Sequence, residues 1–70
     1  MIRIFRTNVH HPNDEMHLLE NVLQKKYPFF KINFDLEDCD RILRIDGHDF
    51  NTNELILLMN SNGFFCEELN

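Results

Sequence analysis

Hydrophobic and polar positions alternate loosely along "MIRIFRT", a stretch rich in β-branched and aromatic residues, and predict a strand over residues 2–7. Ile2 and Ile4 point to one side and Phe5 to the other, so the pattern alone leaves the inward side open. The period then changes. At about 100° per residue, Met16, Leu18, Leu19, Val22 and Leu23 fall in one broad arc, which predicts a helix over residues 13–26. Pro12 suits a first helical turn and Asn13 an N-cap. Asp14 and Glu15 complement the positive end of the helix, Lys25 and Lys26 its negative end, and Pro28 stops it.

Period-two patterning returns in "FFKINFDLEDCDRILRIDG", where Phe30, Ile32, Phe34 and Leu36 alternate with Lys31, Asn33 and Asp35. With "EDCD" as the turn, Leu43 and Ile45 face inward on a third strand and Arg44 faces outward. Asn51 with Glu54 three residues later resembles a capping box, and the second helix is expected over residues 52–61. Gly63 is placed to be its C′ residue, where a left-handed backbone is needed. "FFCEEL" closes the chain as a fourth strand. The order strand, helix, strand, strand, helix, strand predicts an α+β domain. It is the ferredoxin-like βαββαβ sandwich, a four-stranded antiparallel sheet with two helices on one face. No linker or repeat divides residues 1–70, so one domain is expected.

Size and charge narrow the function. Seventy residues lie near the lower limit for unaided folding, with a stability margin of roughly 3–5 kcal/mol, so almost every apolar side chain is needed for the core. A formal net charge of −5 repels phosphate backbones and argues against a general nucleic-acid binder. No stretch reads as a signal peptide, and no apolar run is long enough to span a membrane. Cys39 and Cys66 are far apart and form neither a disulfide framework nor a Cys-x-x-Cys pair. A reduced, cytoplasmic chain is the simplest expectation.

"TNVHHPND" followed by a helix, together with "NSNGFFCEEL", resembles the heavy-metal-associated domain of copper chaperones and metal-pumping ATPases. The resemblance covers nearly the whole chain. The family motif, Gly-Met-x-Cys-x-x-Cys, falls at the junction of the first strand and first helix. On this chain it places Asn8 at the Gly position, Val9 at the Met position, and His11 and Asp14 at the two cysteine positions. Gly63-Phe64 matches the family's Gly-aromatic pair, whose loop lies beside the metal loop and would bring Phe64 near His11. The resemblance implies the fold but not the family's chemistry. Members hold Cu(I) or Zn(II) through two thiolates, and soft Cu(I) prefers sulfur. Neither position carries sulfur here. Cys39 is expected in a far hairpin and Cys66 in the last strand.

The remaining donors are His10 and His11 in the loop, with Asp14 and His17 three apart on the outer side of the first helix. They define an alternative reading, a weak site for Zn(II), Ni(II) or Cu(II). Adjacent surface histidines without a supporting shell more often do nothing in particular. His48 belongs to the opposite end. Cys66 reads as a small buried hydrophobe and Cys39 as a thiol in an acidic turn, a poor setting for a nucleophile. No nucleophile–base pairing or glycine-rich phosphate loop appears, and no enzyme is expected. Phe5, Phe29, Lys31, Arg3 and Arg44 could line an open sheet face for RNA, but the aromatic signature strand of RNA-binding modules is missing.

In "ELILLMN", Leu55, Leu58 and Met59 point to the core, and Ile56 and Leu57 project to flanks that a sheet does not cover. The expectation is a small non-enzymatic binding or interaction module with no resident cofactor. It would meet a protein partner, or a second copy of itself, through Leu57 and Ile56 of the second helix.

Overall fold

The computed structural model describes residues 1–37 and 39–69 of the chain. Its elements run β1 (Ile2–Thr7), α1 (Pro12–His17), a π-helical segment (Leu18–Leu23), α2 (Gln24–Lys26), β2 (Lys31–Asp35), β3 (Ile42–Asp46), α3 (Thr52–Ser61) and β4 (Cys66–Leu69). The four strands form one antiparallel sheet in the order β2-β3-β1-β4. The domain is α+β. Position 38 of the predicted "EDCD" turn lies outside the described residues.

Register decides the faces that alternation left open. Phe5 sits opposite Leu43 and Arg3 opposite Ile45, while Ile32 and Phe34 face Ile45 and Leu43 from β2. Residues directly opposite share a face, so Arg3, Phe5, Thr7, Ile32, Phe34, Leu43, Ile45 and Cys66 share one side. Phe5, Leu43 and Ile45 are fully buried there, in one core with Leu18, Leu23, Leu55 and Met59 from the helices. Phe5 and Arg3 are therefore not on the open face, which removes both from the stacking surface that the sequence suggested for RNA. Ile2, Ile4, Lys31, Ile42 and Arg44 take that other side.

The first helix departs from its predicted form in two ways. It begins at Pro12, with His11 rather than Asn13 as N-cap and no side-chain capping bond. Proline at the first helical position wastes no hydrogen bond. Its middle is π-helical, and Gln24 N–H reaches back five residues to Leu19 O. In that geometry residues five apart line up, and Leu18 and Leu23, five apart, are the two fully buried members. The phase counted at 100° per residue thus breaks at Leu18, and Met16 is exposed rather than in the core.

α3 matches the expected span. Asn51 Oδ1 accepts from the N–H groups of Asn53 (2.9 Å) and Glu54 (3.3 Å). Glu54 does not complete the reciprocal box; its carboxylate meets Lys26 Nζ at 2.7 Å and ties α2 to α3. Gly63 has φ +88°, and Gly63 N–H donates to Asn60 O while Phe64 N–H donates to Met59 O. That paired pattern is the Schellman stop. No helix among the described residues is long and apolar enough to cross a membrane.

Candidate functional site

The β1–α1 loop is built from its first residue outward. Thr7 ends β1, buried, and its hydroxyl donates to Arg41 O at 2.6 Å and accepts from Val9 N–H at 3.2 Å. Val9 is fully buried and pins the loop to the core. Asn8 Oδ1 accepts from Phe65 N–H at 2.8 Å, which joins this loop to the segment that follows Gly63. The two loops are thus neighbours, as the pairing of Thr7 with Cys66 requires. Thr7 N–H also donates to Asp40 O at 3.1 Å. The β2–β3 hairpin with Cys39 therefore lies at this same end of the sheet, and not far from the loop as expected from the sequence.

Although its base is buried and hydrogen-bonded, the loop presents its donors outward. His10, His11 and His17 are exposed and Asp14 is half-buried. His11 caps the helix and Asp14 lies in its first turn. His17 Nδ1 is 3.2 Å from Asn21 Nδ2, a contact that occupies one ring nitrogen. Among the described residues no three His, Cys, Asp or Glu side chains are gathered so that they could hold a metal ion. Cys39 is exposed and free. Cys66, opposite Thr7 in the sheet, is buried, and desolvation pushes its thiol up to about 12. It fits the reading of a small buried hydrophobe.

On α3, Leu55 and Met59 are fully buried, and Leu58 and Ile56 pack partly against the core. Ile56 is thus covered further than its position on the helical wheel suggested. Leu57 is 65% exposed. Phe29 is 95% exposed, and Met1, Ile2, Met16 and Phe65 are also exposed. The Arg6 guanidinium lies 5.9 Å from the Phe65 ring centroid, and Arg6 pairs with Glu67 at 2.5 Å.

The opposite end of the sheet holds a cluster that periodicity does not reveal. Tyr27 and Phe30 stack at 5.1 Å and 6°, and Phe50 meets both at 5.8 and 5.4 Å. Gly47 lies directly under the Phe30 ring. The Tyr27 hydroxyl is buried without a hydrogen-bond partner. Burial first, then the nearby Glu54 carboxylate, raises its pKa, with Lys26 opposing. The signal in the sequence was the aromatic-rich turn "YPFF" together with Phe50 in "GHDF", both at strand boundaries. The described residues enclose no pocket.

The site and fold define an α+β domain with a four-stranded antiparallel sheet and a hydrogen-bonded loop end. Comparison with protein-family models, with curated proteins and with solved structures finds no match to this chain.

Proposed function

We propose that this chain is a small ferredoxin-like interaction module, built like a heavy-metal-associated domain without its thiolate pair, and that it works by contact with another polypeptide rather than by chemistry. The ferredoxin-like reading draws support from the β-α-β-β-α-β order and the sheet order β2-β3-β1-β4. The heavy-metal-associated reading draws support from the Asn8–Phe65 hydrogen bond between the two loops that flank the metal in that family. The observation that carries the functional reading is exposure. A single exposed leucine is ordinary. Here six large apolar side chains, Met1, Ile2, Met16, Phe29, Leu57 and Phe65, stand in water at 46% exposure or more, in a chain with few apolar residues to spare.

Leu57 is the most readily tested of the six, because its helix is otherwise anchored by Leu55 and Met59. Leu57→Glu leaves the fold intact and weakens association, read by sedimentation equilibrium and far-UV circular dichroism. Unfolding by Leu57→Glu would place Leu57 in the core and remove α3 as a contact surface. A metal role for His10, His11, Asp14 and His17 has less support, because among the described residues no three such donors are gathered.

A further inference from the structure

β2 is an edge strand. Among the described residues its only strand neighbour is β3, so one side of its backbone has N–H and C=O groups with no described strand to pair with. Its sequence, Lys31-Ile32-Asn33-Phe34-Asp35, is self-complementary when run antiparallel to itself. With Asn33 opposite Asn33 of a second copy, Lys31 meets Asp35, Ile32 meets Phe34, and each pair occurs twice. Lys31, Asn33 and Asp35 are exposed and alternate to the open face of the sheet. Ile32 and Phe34 alternate to the helix-covered face, where each is only partly buried at the sheet's margin. The register therefore sets opposite charges side by side in water and apolar side chains side by side over the core. Opposite-charge and aromatic–aliphatic cross-strand pairs both stabilise a ladder.

The other edge cannot do this. β4 run antiparallel to itself with its faces kept sets Glu67 opposite Glu67 of the second copy, or Glu68 opposite Glu68, and like charges directly opposite are destabilising. The chain's net charge of −5 repels a second copy in general, but β2 carries one positive and one negative side chain and is locally neutral. It also has no proline or bulge to blunt it. α3 packs against β4, on the other side of the sheet from β2, so joining two β2 strands leaves Leu57 clear.

We propose that two copies of this chain pair through β2, antiparallel and two-fold about Asn33, to make a continuous eight-stranded sheet. This rests on the interaction-module reading and names its partner, a second copy, at a surface separate from Leu57. Five residue pairs make a small interface, so the dimer is weak and forms at high protein concentration.

Cross-linking at the two-fold axis tests it. Asn33 is exposed, and its side chain takes one hydrogen bond, from Arg44 Nη1 at 3.2 Å, so Asn33→Cys leaves the fold in place. The variant is made with Cys39→Ser, so that the new thiol is the accessible one. In the proposed register the two residue-33 Cα atoms lie about 4.5–5.5 Å apart, within disulfide reach. Lys31→Cys, in the same background, is the register control. Its two copies are offset by four residues, about 14 Å along the strand, which is beyond a disulfide. The expected result is a disulfide-linked dimer from Asn33→Cys under mild oxidation and its loss with Lys31→Cys. Equal yields from the two variants, or none from either, overturn the β2 pairing. If Asn33→Cys forms no linked dimer while the wild type still associates in sedimentation and Leu57→Glu weakens that, the β2 pairing fails while the interaction reading stands. If the wild type stays monomeric at its solubility limit, the self-pairing fails outright.

Discussion

Replacing Gly47 by alanine probes the aromatic end of the domain with a single methyl group. Gly47 does not have a positive φ, so an alanine meets no backbone strain there. The obstacle is space. A Cβ built on Gly47 falls 2.4 Å from Phe30 Cγ and 2.5 and 2.6 Å from its two Cδ atoms, well inside any real carbon–carbon contact. The ring cannot simply retreat, because Tyr27 stacks on it at 5.1 Å and Phe50 lies against it at 5.4 Å. Two relaxations are open. The cluster shifts by about 1 Å, with the roughly 1–3 kcal/mol penalty of overpacking. Alternatively Phe30 swings into water and loses burial worth roughly 1.5–3 kcal/mol. Both routes give about 2 kcal/mol, a large part of the roughly 3–5 kcal/mol a chain of this size has. With a urea slope near 1 kcal/mol per molar, the midpoint falls by about 2 M. The chain has one tyrosine and no tryptophan, so tyrosine emission reports Tyr27 alone, inside the cluster. Urea titration followed by that emission is the assay. Gly47→Ala within about 0.5 kcal/mol of the wild type, the range of ordinary surface changes, refutes the packing argument. Adding Phe30→Leu to Gly47→Ala should recover part of the loss, because the two sites share one contact.

Three further outcomes follow from the thiols and the loop. Burial raises the Cys66 thiol from 9.0 to about 12, so the native state keeps a proton that the unfolded chain releases. The associated stability is complete below pH 9.0 and is lost as pH climbs toward 12, at up to about 1.4 kcal/mol per pH unit. The raised Tyr27 pKa acts in the same direction from its ordinary 10.0 upward. Urea midpoints of the wild type should therefore drop from about pH 9 upward, and drop less in Cys66→Ala; parallel profiles would contradict the assignment. Iodoacetamide should label Cys39 in the native protein and Cys66 only after unfolding, and rapid native labelling of both would place Cys66 at the surface. His11→Cys with Asp14→Cys should bind one Cu(I) that the wild type releases to a thiolate chelator, because the helix cap and first turn then carry the sulfur pair of the family pattern. Failure of that double variant to bind would remove the family resemblance, and Cu(I) retention by the wild type would show that sulfur at those positions is not required.

What was legible in the sequence was local. β1 and α3 fall on their predicted bounds, since alternation marks one and Asn51 and Gly63 bracket the other with caps that act within a few residues. The inward side of β1 needed cross-strand register, which no single strand contains. Met16 was misplaced because a π-helical stretch shifts phase, and "LLENVL" carries no distinct mark of it. The nearness of the Cys39 hairpin to the His10–His11 loop depends on a backbone bond from Thr7 to Asp40, 33 positions away in the chain. Gly47 reads as an ordinary turn glycine until Phe30 is placed over it. The self-complementarity of β2 was present in five letters, but it has meaning only once β2 is known to be an edge.

The most direct test of a contact module, as against a metal module, is one set of amide NMR spectra of the labelled chain. They are recorded from dilute solution to the solubility limit and then with Zn(II) added. Concentration-dependent shifts centred on Lys31–Asp35 are expected, with only weak, unsaturated changes with Zn(II) at His10, His11 and His17, no larger than at His48. A spectrum invariant with concentration, combined with saturable Zn(II) shifts shared by His11, Asp14 and His17, would contradict the contact reading.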